Sequence, residues 1–170
     1  MLEARRREIV LGLGLAALAL LAIAVFAAPA PRLVWNASAS APVGLYRVLP
    51  GVSTSGDLVF VRTPEPIRRF TEERGYLPAD LSLIKRVVAV GGDTVCAEGD
   101  RILINDKHVA TRRDRDGLGR PLPRWNGCRA LGPNELFLLM EDVPDSFDGR
   151  YFGPIRRSAV IARLGPVWVR

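Results

Sequence analysis

The feature that most restricts the fold is an uncharged apolar run from Ile9 to Ala28, which follows the basic cluster Arg5-Arg6-Arg7. Roughly 20 apolar residues are enough for a helix to cross a bilayer. Because arginines are retained on the cytoplasmic side, the N-terminus is expected in the cytoplasm and the rest of the chain is expected to be exported. The sequence therefore predicts residues 1–30 as a cytoplasmic N-terminus with one transmembrane anchor, and residues 31–170 as an exported domain.

A cleaved signal peptide is the competing interpretation of this run. The segment Ala27-Ala28-Pro29-Ala30 contains the small residues that a cleavage site requires. The run is longer than the apolar core of a usual signal peptide, which favours a retained anchor.

The chain carries a formal net charge of +6, which raises the question of nucleic acid as a partner. Beyond Arg5 to Arg7 and Arg112-Arg113 the basic residues are scattered, and aromatic residues make up only 7% of the chain. Single-stranded nucleic acid is usually held by aromatic stacking surfaces, so no nucleic-acid partner is expected. A basic domain close to a membrane is instead attracted to anionic lipid headgroups.

The residues after the apolar run predict a mainly β domain. Short apolar runs bounded by glycine, proline or aspartate are typical of strands. The predicted strands lie at 58–62, 85–90, 94–96, 101–104, 108–110, 136–140, 158–163 and 167–169. Ile67 to Tyr76 is the one modest helix prediction. The polar segment from Thr111 to Gly127 predicts a long surface loop.

The two cysteines, Cys96 and Cys128, predict a disulfide, because an exported domain folds in an oxidising compartment. Such a bridge stabilises by about 3 kcal/mol in the chain-entropy view. The one histidine of the chain, His108, is not near either cysteine in sequence, so a zinc site or a Cys-His pair lacks parts. Two free buried thiols are the alternative, and no metal ligand set is expected.

Lys85 is one of only two lysines in a chain whose other basic residues are arginines. Arginine is always protonated, whereas a buried lysine can lose its proton and act as a base. Apolar residues flank Lys85 on both sides, while Lys107 follows Asn105-Asp106 at a predicted hairpin tip. Lys85 is therefore a candidate general base, and an ordinary strand-edge lysine is the alternative.

A serine nucleophile would need such a base, because His108 is best explained as a solvated surface residue and no Ser-His-Asp triad can be assembled. Candidate serines Ser38 and Ser40 lie among small residues between Trp35 and Tyr46. Small neighbours would let a polypeptide approach the hydroxyl groups closely. A simple Ser/Ala/Pro linker between the anchor and the domain is the alternative.

Three segments together resemble a known family. Ser38 to Pro42, Lys85 to Asp93 and Asp145 to Ile155 occur in the order of the conserved boxes of bacterial type I signal peptidases, which are membrane-anchored Ser-Lys proteases. The resemblance implies a twisted antiparallel β domain after one N-terminal transmembrane helix. It also implies a bacterial inner-membrane location with the catalytic domain in the periplasm, and no cofactor or metal.

The resemblance also implies roles for individual residues. Ser40 matches the nucleophile and Lys85 the general base. Ser38 matches a serine that forms the oxyanion hole together with the backbone N–H of Ser40. Ser146 matches a serine that hydrogen-bonds the lysine. The remaining matches are Asp148 and Arg150, a salt-bridged pair that supports the site.

One departure narrows the resemblance to a branch of the family. General signal peptidases usually have methionine after the nucleophile and proline three positions after it, whereas here Ala41 follows Ser40 and Pro42 comes second. The string Ser-x-Pro-x-Gly-Leu-Tyr at 40–46 is similar to the TraF-type peptidases of conjugative plasmid transfer. That branch implies a pilin precursor or another signal-peptide-bearing protein as substrate, with mating-channel components as further partners.

Two other functions remain open from the sequence. A general leader peptidase would remove signal peptides from many exported proteins. A non-catalytic, membrane-tethered assembly module of a secretion system would use the same anchor and domain without acyl transfer.

Overall fold

The computed structural model describes residues 2–26, 32–76 and 82–170. The chain divides into two compact units, Met1–Arg32 and Leu33–Arg170. The possible cleavage site at 27–30 and the predicted domain boundary between 30 and 31 lie outside the described residues.

The first unit contains helix α1, Leu2–Phe26. Within the described ranges, no helix is both long and apolar enough to cross a membrane. This finding differs from the spanning anchor that Ile9 to Ala28 predicts, and the predicted single-pass location in the inner membrane depended on that anchor.

The second unit is mainly β and antiparallel, as predicted. Its strands are β1 (Leu33–Asn36), β2 (Gly44–Leu49), β3 (Leu58–Val61), β4 (Leu83–Val90), β5 (Thr94–Glu98), β6 (Arg101–Ile104), β7 (Lys107–Thr111), β8 (Gly127–Ala130), β9 (Glu135–Leu139), β10 (Ile155–Arg156) and β11 (Val160–Val169). Helix α2 (Glu65–Glu73) agrees with the predicted helix to within a few residues, and α3 (Gly149–Phe152) is a single turn.

The strands form two sheets. The larger has the order β1-β2-β11-β3-β4-β9-β10, and the smaller has the order β7-β6-β5-β8. Buried side chains of both sheets build the core, including Ala89 and Phe137 of the larger sheet and Val95 and Ile102 of the smaller one. Burial alternates along β3, as expected of a strand that packs one face on a core, whereas β9 is buried along nearly its whole length.

Strand β11 differs from the two separate strands predicted at 158–163 and 167–169. It runs without a break from Val160 to Val169, and its pairing with β2 shifts register between Pro166 and Trp168. Proline has no N–H for the ladder, and a bulge accommodates it without ending the strand. The proline therefore marks an irregularity within one strand rather than a boundary.

The segment that carries the candidate serines is a turn between paired strands, not a linker. β1 pairs with β2 in the register Asn36↔Gly44, and the residues between them form the turn. Neither strand is predicted from the sequence, because β1 and β2 lie beside the Ser/Ala/Pro-rich stretch and lack a long apolar run. The paired strands β1 and β2 therefore hold both ends of the segment that carries the two serines.

The smaller sheet confirms two predictions. Cys96 of β5 and Cys128 of β8 are direct partners in the antiparallel register and form a disulfide. The predicted hairpin joins β6 to β7 through Asn105 and Asp106, whose φ angles are 47° and 64°. Asparagine and aspartate tolerate this left-handed conformation, which suits a two-residue hairpin turn.

Gly44 is required by the close approach of β11. A Cβ atom at Gly44 would lie 2.1 Å from the carbonyl oxygen of Trp168 and 2.7 Å from the Cα of Val169. The indole rings of Trp35 and Trp168 stack beside it with centroids 6.1 Å apart. The glycine of the Ser-x-Pro-x-Gly string therefore lets β11 close over the strand that follows the serine turn.

We expect Gly44→Ala to lower the free energy of unfolding by about 1–3 kcal/mol, because it forces overpacking against backbone atoms that cannot move alone. Chemical denaturation of the purified protein measures this. Gly117→Ala is the matched control, since a Cβ there meets nothing within 4 Å. Equal stability of the two variants would contradict the close approach.

Candidate active site

The turn that carries Ser38 and Ser40 is held by the buried side chain of Asn36. Its Nδ2 donates to the carbonyl oxygens of Ser38, Ala41 and Pro42 at 2.9–3.0 Å, and its Oδ1 accepts from the N–H of Ser38 at 3.1 Å. One amide thus satisfies several backbone groups that the turn leaves unpaired. Asn36 was not among the residues that the sequence patterns indicated, although asparagine is common in such turns.

The two serines of the turn contact each other. Ser38 Oγ lies 3.0 Å from Ser40 Oγ, and the backbone N–H of Ser40 donates to Ser38 Oγ at 3.2 Å. Ser40 is half-buried, whereas the next residue, Ala41, is 2% exposed and packs with Tyr46 and Met140. The buried Ala41 holds Ser40 at the edge of the core with its hydroxyl in reach of solvent.

Lys85 lies in the middle of β4 and is completely buried. Its Nζ donates to Ser146 Oγ at 2.7 Å. Burial lowers the pKa of Lys85 from 10.5 to about 8, because removal from water disfavours the charged amine; the charge of Asp148 opposes this shift, and that of Arg150 adds to it. A large fraction of Lys85 amines can therefore be neutral near pH 8.

The ion pair between Asp148 and Arg150 is the most deeply buried charge pair in the described part of the chain, with side chains 0% and 1% exposed. Arg150 Nε lies 3.2 Å from Asp148 Oδ1. Asp148 also accepts from the backbone N–H of Met140 at 3.0 Å and of Arg150 at 3.2 Å. Burial raises the pKa of Asp148, and Arg150 together with these N–H donors opposes that shift.

Arg150 also fixes the chain segment that precedes Ser146. Its two terminal nitrogens donate to the carbonyl oxygens of Met140, Val143 and Pro144. A planar guanidinium has enough donors to bind several carbonyls at once. The segment between β9 and α3 is thereby held in one conformation, with Ser146 against Lys85.

The structure brings Ser38, Ser40 and Lys85 to the wall of one pocket of about 390 Å³. No hydrogen bond joins Lys85 to Ser40 within the described residues. The rest of the wall was not predicted from the sequence, and it comes from the residue Tyr76 after α2, from β4, from the 112–126 loop, from the segment around Phe147 and from α3. These further residues are Tyr76, Leu83, Arg113, Arg115, Asp116, Gly117, Leu122, Asp145, Phe147 and Tyr151.

The 112–126 loop is tied to the domain at both ends. Arg112 is 2% exposed and donates to the carbonyl oxygens of Gly99 and Trp125. Asp116 accepts from the hydroxyl of Tyr76 and from the Nε of Arg120. The predicted surface loop therefore forms a fixed part of the pocket wall.

One group of side chains has the composition of a metal site. Cys96, Glu98 and Cys128 place possible ligand atoms within 4.8 Å of one another. Both sulfurs are joined in the disulfide, so neither is the thiolate that binds metal. This group does not fit a metal ion.

Comparison with known proteins identifies the class to which this fold and pocket belong. The model of the signal peptidase family, peptidase S26, matches residues 5–169. The chain therefore belongs to this family of serine peptidases.

Individual relatives narrow the comparison. The chain is 39% identical over 144 residues to a plasmid transfer protein TraF of Escherichia coli, covering 78% of this chain and 80% of the relative. It is 33% identical over 174 residues to a probable conjugal transfer protein TraF of Sinorhizobium fredii, covering 92% and 88%. Among solved structures, a signal peptidase I from Enterococcus faecalis V583 matches with a TM-score of 0.38 at 17% identity, covering 68% of this chain and 100% of that one.

We expect Arg150→Leu to lower the free energy of unfolding by about 3–5 kcal/mol, because it leaves the carboxylate of Asp148 buried without its partner. Arg113→Leu is the matched control, since Arg113 pairs with Asp145 at side-chain exposures of 60% and 68%. Its loss should cost about 1 kcal/mol or less. Urea unfolding of both variants tests the contrast, and similar losses would contradict the buried pair.

We expect the stability of the parent protein to rise with pH relative to Lys85→Met. Below about pH 8 the amine is protonated in both the folded and unfolded states, so the full cost of its burial is present. Between about pH 8 and 10.5 the folded state loses its proton first, and the parent gains about 1.4 kcal/mol per pH unit.

Urea unfolding at pH 7, 8.5 and 9.5 measures this difference. Lys107→Met removes an exposed lysine, so its stability should stay parallel to that of the parent over this range. A constant difference between the parent and Lys85→Met would show that the buried amine does not titrate there.

Proposed function

We propose that the chain is a serine endopeptidase in which Ser40 is the nucleophile and Lys85 is the general base. The observation that carries the proposal is the buried amine of Lys85, whose pKa is lowered to about 8, at the wall of the pocket that Ser40 also lines. A lysine can accept a proton only in its neutral form. Burial supplies that form in a substantial fraction of the molecules near pH 8.

The proposed reaction is acyl transfer. Ser40 Oγ attacks the scissile carbonyl carbon while Lys85 Nζ takes the hydroxyl proton, which gives a tetrahedral oxyanion. Lys85 then returns the proton to the leaving amine as the C–N bond breaks, and an ester joins the substrate to Ser40. Water, or a second amine, resolves this ester after Lys85 removes its proton.

Ser38 and the backbone of Ser40 are proposed to bind the oxyanion. The N–H of Ser40 and the hydroxyl of Ser38 already contact each other, so both donors lie within a few ångströms of the nucleophile. When a carbonyl oxygen enters, these donors can exchange their mutual contact for the developing negative charge. Donors positioned in advance are usually the largest electrostatic contribution to such reactions.

Ser146, Asp148 and Arg150 are proposed to position the base. Ser146 accepts a hydrogen bond from the Lys85 amine. In the proposal, this contact fixes the direction of the lone pair on the neutral amine. Asp148 and Arg150 hold the segment that carries Ser146. A lysine with several rotatable bonds needs such support to keep its amine near one hydroxyl.

The names of the relatives support a substrate in conjugative transfer. Relatives at 33–39% identity over most of the chain are named as plasmid or conjugal transfer proteins. We therefore propose that the substrate is a pilin precursor or another signal-peptide-bearing protein of the mating apparatus. The Cys96–Cys128 disulfide supports an oxidising compartment such as the periplasm for the catalytic domain.

We expect Ser40→Ala and Lys85→Arg to abolish precursor cleavage, because the first removes the nucleophile and the second replaces the base with a group that stays protonated. Ser38→Ala should retain activity lowered on the order of 100- to 1000-fold. Lys107→Arg is the matched control for Lys85→Arg and should be silent. Cleavage of a co-produced precursor, followed by mass spectrometry, measures all four.

Robust turnover by Lys85→Arg would exclude the proposed base. Mass spectrometry of the Ser40-containing peptide after rapid quenching should also detect the acyl adduct in the parent protein only. A protein without adduct or cleavage across a panel of exported precursors would instead be a non-catalytic assembly module. Cleavage of many unrelated precursors would favour a general leader peptidase.

A further inference from the structure

A second, larger cavity of about 830 Å³ lies on the other side of Phe147 and Tyr151. α2, residues 123–125 and the stretch from Phe152 to Ala159 form its walls. We call this cavity the α2 groove. Its apolar surface comes mainly from Ile67, Phe70, Trp125, Phe152, Pro154 and Ile155. An apolar groove of this size can hold several side chains of a bound peptide.

The α2 groove and the serine pocket share two walls, because Phe147 and Tyr151 line both. The ring of Phe147 stacks on Tyr151 with centroids 5.4 Å apart and on Phe70 at 5.7 Å. Phe147 also stands in sequence between Ser146, which binds Lys85, and Asp148. The shared aromatic wall makes the two cavities neighbours on one surface, so one extended chain could occupy both.

The charges around the α2 groove favour an acidic occupant. Four arginines line it, Arg62, Arg68, Arg124 and Arg156, and Glu65 is the one acidic residue among the described lining residues. Three of these arginines have acidic neighbours. Arg68 pairs with Glu65, Arg124 pairs with Asp114, and Arg156 lies opposite Glu135 across β10 and β9.

Arg62 is different, because its exposed guanidinium has no acidic partner within the described part of the chain. The apolar walls and this uncompensated cation select for a ligand that combines large apolar side chains with a carboxylate. A neutral apolar segment could contact the walls but would form no ion pair with Arg62.

We infer that the α2 groove is an additional binding site for the substrate, which takes an apolar peptide segment carrying at least one acidic side chain. This segment lies away from the scissile bond, while the residues next to that bond enter the serine pocket. Its identity as part of the substrate rests on the proposed peptidase function. Binding of the peptide itself needs no cleavage and can be measured separately.

The test uses full-length protein carrying Ser40→Ala, so that no turnover occurs. The probe is a short fluorescent peptide of leucine, phenylalanine and glutamate, and fluorescence anisotropy measures its dissociation constant. Arg62→Glu should weaken binding about three- to tenfold, because it removes one exposed ion pair and adds a repulsion. The same peptide with glutamine in place of glutamate should bind more weakly and should not respond to Arg62→Glu.

Arg69→Glu is the matched charge control. Arg69 is exposed on α2 but does not line the groove, so its reversal should leave binding within about twofold because solvent and salt screen distant charges. Ser158 is an exposed residue of the groove wall. Ser158→Trp should fill part of the groove with an indole ring and so weaken peptide binding. Ser158→Ala is its control. Near-ultraviolet circular dichroism confirms that each variant is folded.

The inference is overturned if the glutamate peptide does not bind saturably, if Arg62→Glu and Arg69→Glu weaken it equally, or if folded Ser158→Trp binds as well as Ser158→Ala. In active protein, Arg62→Glu should raise KM for a long precursor and leave kcat unchanged. Loss of cleavage by Ser40→Ala together with absent peptide binding would reject the groove and keep the peptidase. Peptide binding without any cleavage by the parent protein would reject the peptidase and keep the groove.

Discussion

The hydrogen bond between Lys85 and Ser146 is the contact on which the site depends. A fully buried amine must find a polar partner or lose its proton, and here it does the first while its pKa is lowered enough to allow the second. The partner lies on the segment after β9, which would be free to move without the guanidinium of Arg150. The position of the Lys85 amine therefore depends on the buried ion pair between Arg150 and Asp148.

The two halves of the site come from strands that are not neighbours. Ser40 lies in the turn between β1 and β2, while Lys85 lies on β4, and β11 and β3 separate these strands in the sheet. Neighbouring strands are about 4.8 Å apart, so a flat sheet would keep the two residues well separated. The curl of the antiparallel sheet and the turn held by Asn36 bring both to one pocket.

The wall of the serine pocket contains aromatic rings, whereas Ser38, Ser40 and Lys85 are polar. Aromatic rings of Tyr76 after α2, of Phe147 and of Tyr151 in α3 line the pocket, and the 112–126 loop adds charged residues. Rigid aromatic walls supply contact area with few rotatable bonds, while surface loops commonly carry the residues that recognise a ligand. The proposed chemistry and the proposed choice of substrate are thus assigned to different parts of the chain.

The sequence alone determined the class of fold, the cysteine pair and the family, because strand patterns, an exported pair of cysteines and ordered motifs are local or compositional signals. The sequence predicted that the apolar run is a membrane-spanning anchor. No helix among the described residues is long and apolar enough to span a membrane. The sequence also missed β1, β2 and the continuity of β11, since the serine segment resembles a linker and Pro166 resembles a strand end. Only the tertiary structure decided that Asn36 holds the turn and that Lys85 is dry. Only the tertiary structure placed Phe147 between the two cavities. Burial and contacts between distant segments depend on how the strands pack together.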